Sequence, residues 1–438
     1  MSTDPAHESG AQNPVTLPAT TDVLIVGAGP AGSAAAVWAA RAGYQVTVID
    51  MAEFPRDKTC GDGLTPRAVL ELQKLGIESW LGEHPRTEGV HMHGWGTNRK
   101  IVWSRKGAFP AYGSAIARAE FDEKIRSLAL DAGVAMVTGT KAVDADVQDG
   151  RITSVTLQRG DEISQVTPQK VIVADGVRSG LGKILGRQWH RDTVFGTAVR
   201  SYVRVEKEWD WLVTHFDMKN TEGDTLPGYG WMFPLGSSGG NGELEHQGSP
   251  IINMGVAAFS TAERPAKVAL RPLLDQYVAQ MREQWGLIGE PMQVKSALLP
   301  LGGAVSNIAG RNWMLIGDAA GCVNPITGEG IDYALETGRF AAEALDVDDY
   351  TTMWPDLLNE KYGQMFSGSR RLAKIFFYPR VTATVARPIM HWEKGMRGAM
   401  RLMSNLVGEN EHDDAATLAR FAGNVSLKLD KRTRRPFH

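Results

Sequence analysis

Val23-Leu24-Ile25-Val26-Gly27-Ala28-Gly29-Pro30-Ala31-Gly32 decides the fold. Four apolar, mostly β-branched residues stop at a Gly-x-Gly-x-x-Gly turn, and the alanine-rich residues 33–42 follow with helical character. A second apolar run, residues 46–49, ends at Asp50, 18 residues beyond Gly32, which completes the opening of a βαβ unit. In that setting Gly27 allows the tight turn, Gly29 lets backbone approach a pyrophosphate, and Gly32 lets the helix pack closely, with Ala31 in the first helical turn. The helix amides and their positive end face the phosphates, and Asp50 accepts from ribose hydroxyls. Dinucleotide binding is the expectation. Residues 23–40 are uncharged over 18 positions, yet the glycines and Pro30 divide them, so they are not read as a membrane span.

The chain has 438 residues, enough for about three domain-sized units. Its 47 Lys and Arg against 50 Asp and Glu leave a net charge of -3, so no overall field gathers nucleic acid, and none is expected as a partner. Cysteine occurs twice, at Cys60 and Cys322. That is too rare for a disulfide framework or a cysteine zinc site and suits a reducing, cytoplasmic setting. Residues 1–20 are polar, have no basic leader or apolar run, and are expected to form a loose tail.

Further along, helices are expected over 66–75 and 119–132, and a meander of strands over 141–147, 152–157 and 163–174. Residues 193–300 alternate short β-prone runs with Gly/Ser/Asn loops, notably 236–248, around one helix at 267–285. A buried strand returns at 313–317 and a long helix at 331–345; beyond residue 350 the pattern is helical, with Pro379 and Pro388 as breaks. The expected division is therefore a discontinuous nucleotide-binding domain (21–88, 111–192, 301–348), a β lobe (89–110, 193–300) and a helical lobe (349–438).

Two later steps identify the dinucleotide. Residues 171–174 run into Asp175-Gly176, and residues 314–316 into Gly317-Asp318, with Arg118 leading the helix that begins at Ala119. This order resembles the flavoprotein family that includes aromatic hydroxylases and geranylgeranyl reductases. The resemblance implies FAD, with Asp318 holding the ribityl chain, Arg118 approaching the cofactor and the residues around Asp175 shaping the site. Asn324-Pro325-Ile326-Thr327-Gly328-Glu329-Gly330 precedes a helix starting at Ile331. Gly328 and Gly330 suit close approach to a flat ring, and the helix's positive end would face the negative N1 and C2 carbonyl edge of reduced flavin.

Phe54-Pro55-Arg56-Asp57-Lys58-Thr59-Cys60-Gly61-Asp62-Gly63 and Pro227-Gly228-Tyr229-Gly230-Trp231-Met232-Phe233-Pro234 resemble the cysteine-glycine loop and the Tyr-x-Trp-x-Phe-Pro segment of geranylgeranyl reductases. With Ser296-Ala297-Leu298-Leu299-Pro300 and Gly328-Glu329-Gly330-Ile331-Asp332-Tyr333, the resemblance spans nearly the whole chain. It is greatest to the actinobacterial branch that saturates one isoprene unit of a menaquinone tail. Gly61-Asp62 stands where archaeal prenyl reductases commonly carry Gly-Gly. The implied fold is α/β plus antiparallel β: a Rossmann-type FAD-binding domain like that of aromatic hydroxylases, an inserted β-sheet substrate lobe and a C-terminal helical lobe. The implied partner is a prenylated quinone or another polyprenyl lipid. No second Gly-x-Gly-x-x-Gly marks a nicotinamide domain, so the electron donor is unidentified.

An isolated alkene has no electron-withdrawing group, so saturation needs an acid on the carbon opposite the one that takes hydride. Cys60 and Tyr229 are the candidates, with Trp231 beside them. Tyr229, Trp231 and Phe233 either line an apolar tunnel or pack the lobe's core, and Cys60 is a proton donor, inert packing or a modulator of the flavin. Cys60 and Cys322 read as separate thiols, a reversible disulfide being the alternative. Between residues 370 and 401 eight Lys and Arg face one acid, Glu393, among Ile375, Phe376, Phe377, Ile389, Met390, Trp392, Met396 and Met400. That suits a helical lobe resting on the inner face of an anionic membrane, or a solvated face packed on the body. Three other functions stay open: a geranylgeranyl lipid or diphosphate reductase, an FAD-dependent aromatic monooxygenase, and a lipid-binding flavoprotein with a structural cofactor.

Overall fold

The structure, a computed structural model, describes residues 17–105, 107–220, 222–236, 248–408, 411–430 and 436–437. Residues 1–16 of the expected tail and 237–247 of the expected loop lie outside them. The tail ends sooner than expected, because Leu17 packs on the core and the first strand begins at Thr20.

Thr20–Val26 and Val46–Ile49 lie parallel, with Ala135–Val137 beyond the second and Glu162–Val173 beside the first. Trp313–Leu315 joins the far side of Glu162–Val173, also in parallel. Such strands are buried on both faces, which is why they read as unbroken apolar runs. The helix Pro30–Arg41 packs against both Ile331–Glu343 and Arg118–Asp131. The expected meander is only part of the story for its third strand. The first half of Glu162–Val173 pairs antiparallel with Arg151–Arg159, where burial alternates. Its last three residues, Val171, Ile172 and Val173, are wholly buried and belong to the parallel sheet.

The second sheet orders its seven strands as Leu287–Leu299, Phe195–Val205, Ile251–Ser260, Gly228–Gly236, Trp211–His215, Gly89–Gly94 and Thr97–Val102. All neighbours are antiparallel except Trp211–His215 with Gly89–Gly94. No hairpin joins those two, so nothing local dictates their direction. The third strand in that order, Ile251–Ser260, is buried at all ten positions. The helix Leu270–Trp285 covers one face through Leu273, Leu274, Tyr277 and Val278, against Met254 and Val256. The alternate face, with Asn253 and Ala257, turns to the interior between the sheets.

After residue 349 come Tyr350–Leu358, Gln364–Ala373, Pro379–His391, Glu393–Met403 and Asp414–Leu429. Pro379 opens a helix as expected, but Pro388 lies inside that same helix, three residues before its end at His391, and does not break it. Trp354 is buried and its Nε1 donates to the Leu315 carbonyl at 2.8 Å, docking the helices on the last parallel strand. The methionines expected as lipid anchors face the other way. Met390, Met396 and Met400 are buried in one cluster with Trp103 and Leu406, because their helices pack an apolar face on Thr97–Val102. Of the expected anchors whose side chains are described, Trp392 alone is exposed, at 63%. No helix among the described residues is long and apolar enough to cross a membrane.

Asn312 stitches the two halves of the first sheet: it accepts from the Ile152 amide at 2.7 Å and donates to the Ile152 and Gln169 carbonyls at 2.9 and 3.0 Å. Asn312→Leu strands those buried groups. It is expected to cost about 2–4 kcal/mol and lower the melting temperature by roughly 5 °C in calorimetry. An unchanged melting temperature would contradict the assignment.

Candidate active site

Gly27 holds φ at 109°, and a Cβ there would lie 2.3 Å from the Ala174 carbonyl oxygen. A Cβ on Gly32 would lie 1.8 Å from the Gly27 carbonyl oxygen. Neither position admits a side chain, which keeps the turn low enough for a phosphate to meet the amides at the start of Pro30–Arg41. Asp50 Oδ2 accepts from the Ala28 amide and Oδ1 from the Ala52 amide, each at 2.8 Å. Arg56 extends this edge: its guanidinium is 3.9 Å from Asp50 and 3.4 Å from Asp122. Arg118 clasps Asp122 from the other side, Nε to Oδ1 at 2.6 Å and Nη2 to Oδ2 at 2.7 Å. A glycine cradle, open helix amides and a carboxylate at the strand end fit the adenosine diphosphate portion of FAD.

Beyond the cradle opens a cavity of about 1140 Å³ including its mouth. Gly29, Ala31, Arg118 and Asp318, with Gly328, Gly330 and Ile331, line its nucleotide side; Cys60, Tyr229 and Trp231 line the other. Gly27, Gly32 and Asp50 stand behind the wall, as does Gly317, whose amide donates to Thr337 Oγ1 at 3.1 Å. Asp175 departs from its expected place. Its Oδ2 accepts from the Leu181 amide at 2.9 Å, at the start of the helix Gly180–Ile184, while its neighbours Ala174 and Gly176 line the cavity.

Tyr229, Trp231 and Phe233 alternate along Gly228–Gly236, their ring centroids 6.1 and 6.5 Å apart. The tunnel and core readings hold together: the rings face the cavity, while Phe233 also presses on the cysteine loop, where a Cβ on Gly63 would lie 2.9 Å from its ring. Tyr229 donates to the Thr327 carbonyl and so ties the sheet to the Gly328 loop. Burial pushes its hydroxyl well up. Burial also pushes the Cys60 thiol up, against the pull of Arg118, so it rests as a neutral thiol. Cys322 sits in the core, and both cysteines are free.

Three site residues escape a reading by motif. Asn253 Oδ1 accepts from Trp231 Nε1 at 2.9 Å, and its Nδ2 donates to the Cys60 carbonyl and to Asp62 Oδ2, each at 2.8 Å. Asp62 lines the cavity fully buried at φ 63°, a conformation glycine takes freely and a larger residue holds at a cost of order 1 kcal/mol. Glu329 lines the opposite end; burial pushes its carboxyl well above the usual range and the neighbouring Asp332 adds to it. A neutral Glu329 leaves the positive end of Ile331–Glu343 available to a ligand. A lone asparagine inside the apolar run 251–259 was the visible signal for Asn253.

Gly27→Val forces a branched side chain into the Ala174 carbonyl at a positive φ. The purified protein is expected to lose its bound flavin, read as loss of yellow absorbance; a variant that purifies as yellow as the parent would refute the cradle.

Residues 20–224 match the family model described as an FAD binding domain. The chain is 51% identical to the menaquinone reductase of Mycobacterium tuberculosis, over 94% of this chain and 98% of that one. It is 28% identical to digeranylgeranylglycerophospholipid reductase 1 of Methanopyrus kandleri, over 81% and 90%. Among solved structures, a geranylgeranyl bacteriochlorophyll reductase-like protein of Thermoplasma acidophilum shares the fold. Its TM-score is 0.66 at 23% identity, covering 91% of this chain and 95% of that one.

Proposed function

The chain belongs to the menaquinone reductase family of FAD-dependent flavoproteins, and from that premise we propose that it saturates one isoprenyl double bond in the tail of menaquinone. One observation carries the reading: a single cavity joins the glycine cradle to an aromatic strand wall. Bound FAD, once reduced, supplies a hydride. The protein's own residues do the rest. Tyr229, Trp231 and Phe233 give a prenyl chain an apolar surface, and Trp231 and Tyr229 have their polar atoms occupied by Asn253 and Thr327, so those polar tips carry no unmet demand against the chain. Gly328 and Gly330 line the cavity without side chains of their own. With FAD-loaded protein reduced by dithionite under nitrogen, menaquinone is expected to gain two hydrogens, located in the tail by mass spectrometry. A gain of one oxygen in air, or no product at all, would overturn the assignment.

The substrate lives in lipid, and the C-terminal helices offer a seat there. Trp392 (63%), Phe421 (67%) and Leu429 (66%) stand exposed with Tyr378, Val381 and Val385, and Lys374, Arg380, Arg387 and Lys394 are exposed among them. Apolar anchors ringed by cations match an anionic bilayer surface in chemistry and sign. Pro379–His391 and Asp414–Leu429 both pack on Glu393–Met403, so their apolar side chains belong to one body. Sedimentation with vesicles containing phosphatidylglycerol is expected to carry the protein down, and the pair Trp392→Ala with Phe421→Ala to weaken that binding about tenfold. Equal binding to purely zwitterionic vesicles would remove the charge argument.

A further inference from the structure

Saturating an alkene needs a proton as well as a hydride, and the two expected donors have their protons engaged elsewhere or held tightly. Tyr229 gives its hydrogen to the Thr327 carbonyl, and the Cys60 thiol is pushed up by burial. Asp62 has a different geometry. The residue is fully buried yet lines the cavity, and its carboxyl Oδ1 has no partner among the described residues. The other oxygen, Oδ2, accepts from Tyr202 Oη at 2.9 Å and from Asn253 Nδ2 at 2.8 Å. Through Asn253 that oxygen is fixed relative to Trp231 and to the Cys60 backbone. The backbone at φ 63° holds this carboxyl where glycine would fit more easily.

Resting on the reading above, we propose that Asp62 is the acid of the reaction, giving the proton on Oδ1 to the alkene carbon beside the one that takes hydride. The carbon–carbon π bond breaks and two C–H bonds form. One carbon receives a hydride, hence two electrons, from reduced FAD, which is oxidised. The other receives a proton as the Asp62 O–H bond breaks. The carboxylate left behind has two donors already on Oδ2, and it regains its proton from water between turnovers. Burial pushes the Asp62 acid up to about 6 against the lowering pull of Arg200, Asn253, Tyr202 and Arg118. An acid in that range suits proton transfer near neutrality. The charged or titratable groups facing it are Cys60 on its own loop, Arg118 from the helix Arg118–Asp131, and Arg200 and Tyr202 from the strand Phe195–Val205, with Asp57 behind Arg200.

The test uses FAD-loaded protein reduced with dithionite and mixed with menaquinone under nitrogen, following flavin reoxidation and tail mass in one turnover from pH 5 to pH 8. Only protonated Asp62 is competent, so the wild-type rate should be full at low pH and fall as pH rises through about 6. In Asp62→Asn the turnover is expected to drop by about 100-fold or more and lose that pH limb, with FAD content and dithionite reduction unchanged. Asp62→Gly relieves the backbone while removing the acid, so it keeps the test open if the asparagine variant folds poorly; the same loss is expected. A drop of less than about tenfold, or a retained pH limb, overturns the role of Asp62. If wild-type protein itself leaves the tail unsaturated, the failure lies with the proposed function and not with this residue.

Discussion

Asn253 can form few more hydrogen bonds than it does, and they reach two separate pieces of the cavity: the Trp231 indole on a strand, and the Cys60 carbonyl and Asp62 carboxyl on one loop. A buried amide left unsatisfied costs roughly 1–3 kcal/mol for each stranded group, so strand and loop are positioned together or not at all. That constraint turns a strand of aromatic residues and a cysteine loop, far apart in the chain, into one surface. It also explains why the loop can hold an aspartate at a backbone angle better suited to glycine.

The electrostatics of the cavity follow from the same burial. Asp62, Glu329, Cys60 and Tyr229 all sit where charge is expensive, and each is pushed toward its neutral form. Charge is concentrated instead in pairs: Arg118 on the cavity wall with Asp122 behind it, and Arg200 with Asp57, which Lys295 also joins. Burial pushes the Asp57 carboxyl up, and those two cations more than reverse it. A cationic edge at Arg56 remains on the nucleotide side.

Much of this was legible in the sequence where local rules act alone. The strand at 46–49 and the helix at 66–75 fall at their expected limits, because apolar runs, Pro at the helix start and Gly at its end define them without outside help. The dinucleotide turn was readable because only glycine survives the contacts at Gly27 and Gly32. Legibility failed where distance in sequence decides. Asp175 reads as a site residue, yet a helix start six residues away binds one of its carboxylate oxygens. Met390, Met396 and Met400 looked like lipid anchors, yet Trp103, nearly 300 residues earlier, covers them. Asp62 was visible only as an oddity beside Cys60, since Tyr202 and Asn253, which give it meaning, arrive on strands with no motif.

The parallel sheet has a history as well as a shape. Trp313–Leu315 completes an edge of Glu162–Val173 that was made about 140 residues earlier. At ribosomal speeds of roughly 5–20 residues per second that edge stays bare for about 7–30 seconds of synthesis, with five of the second sheet's seven strands emerging meanwhile. Trp354, whose indole seals the completed edge, comes later still. A nascent chain halted before residue 313 therefore carries an adhesive, unpaired β edge, and gene fragments split within that interval are poor substitutes for the continuous polypeptide.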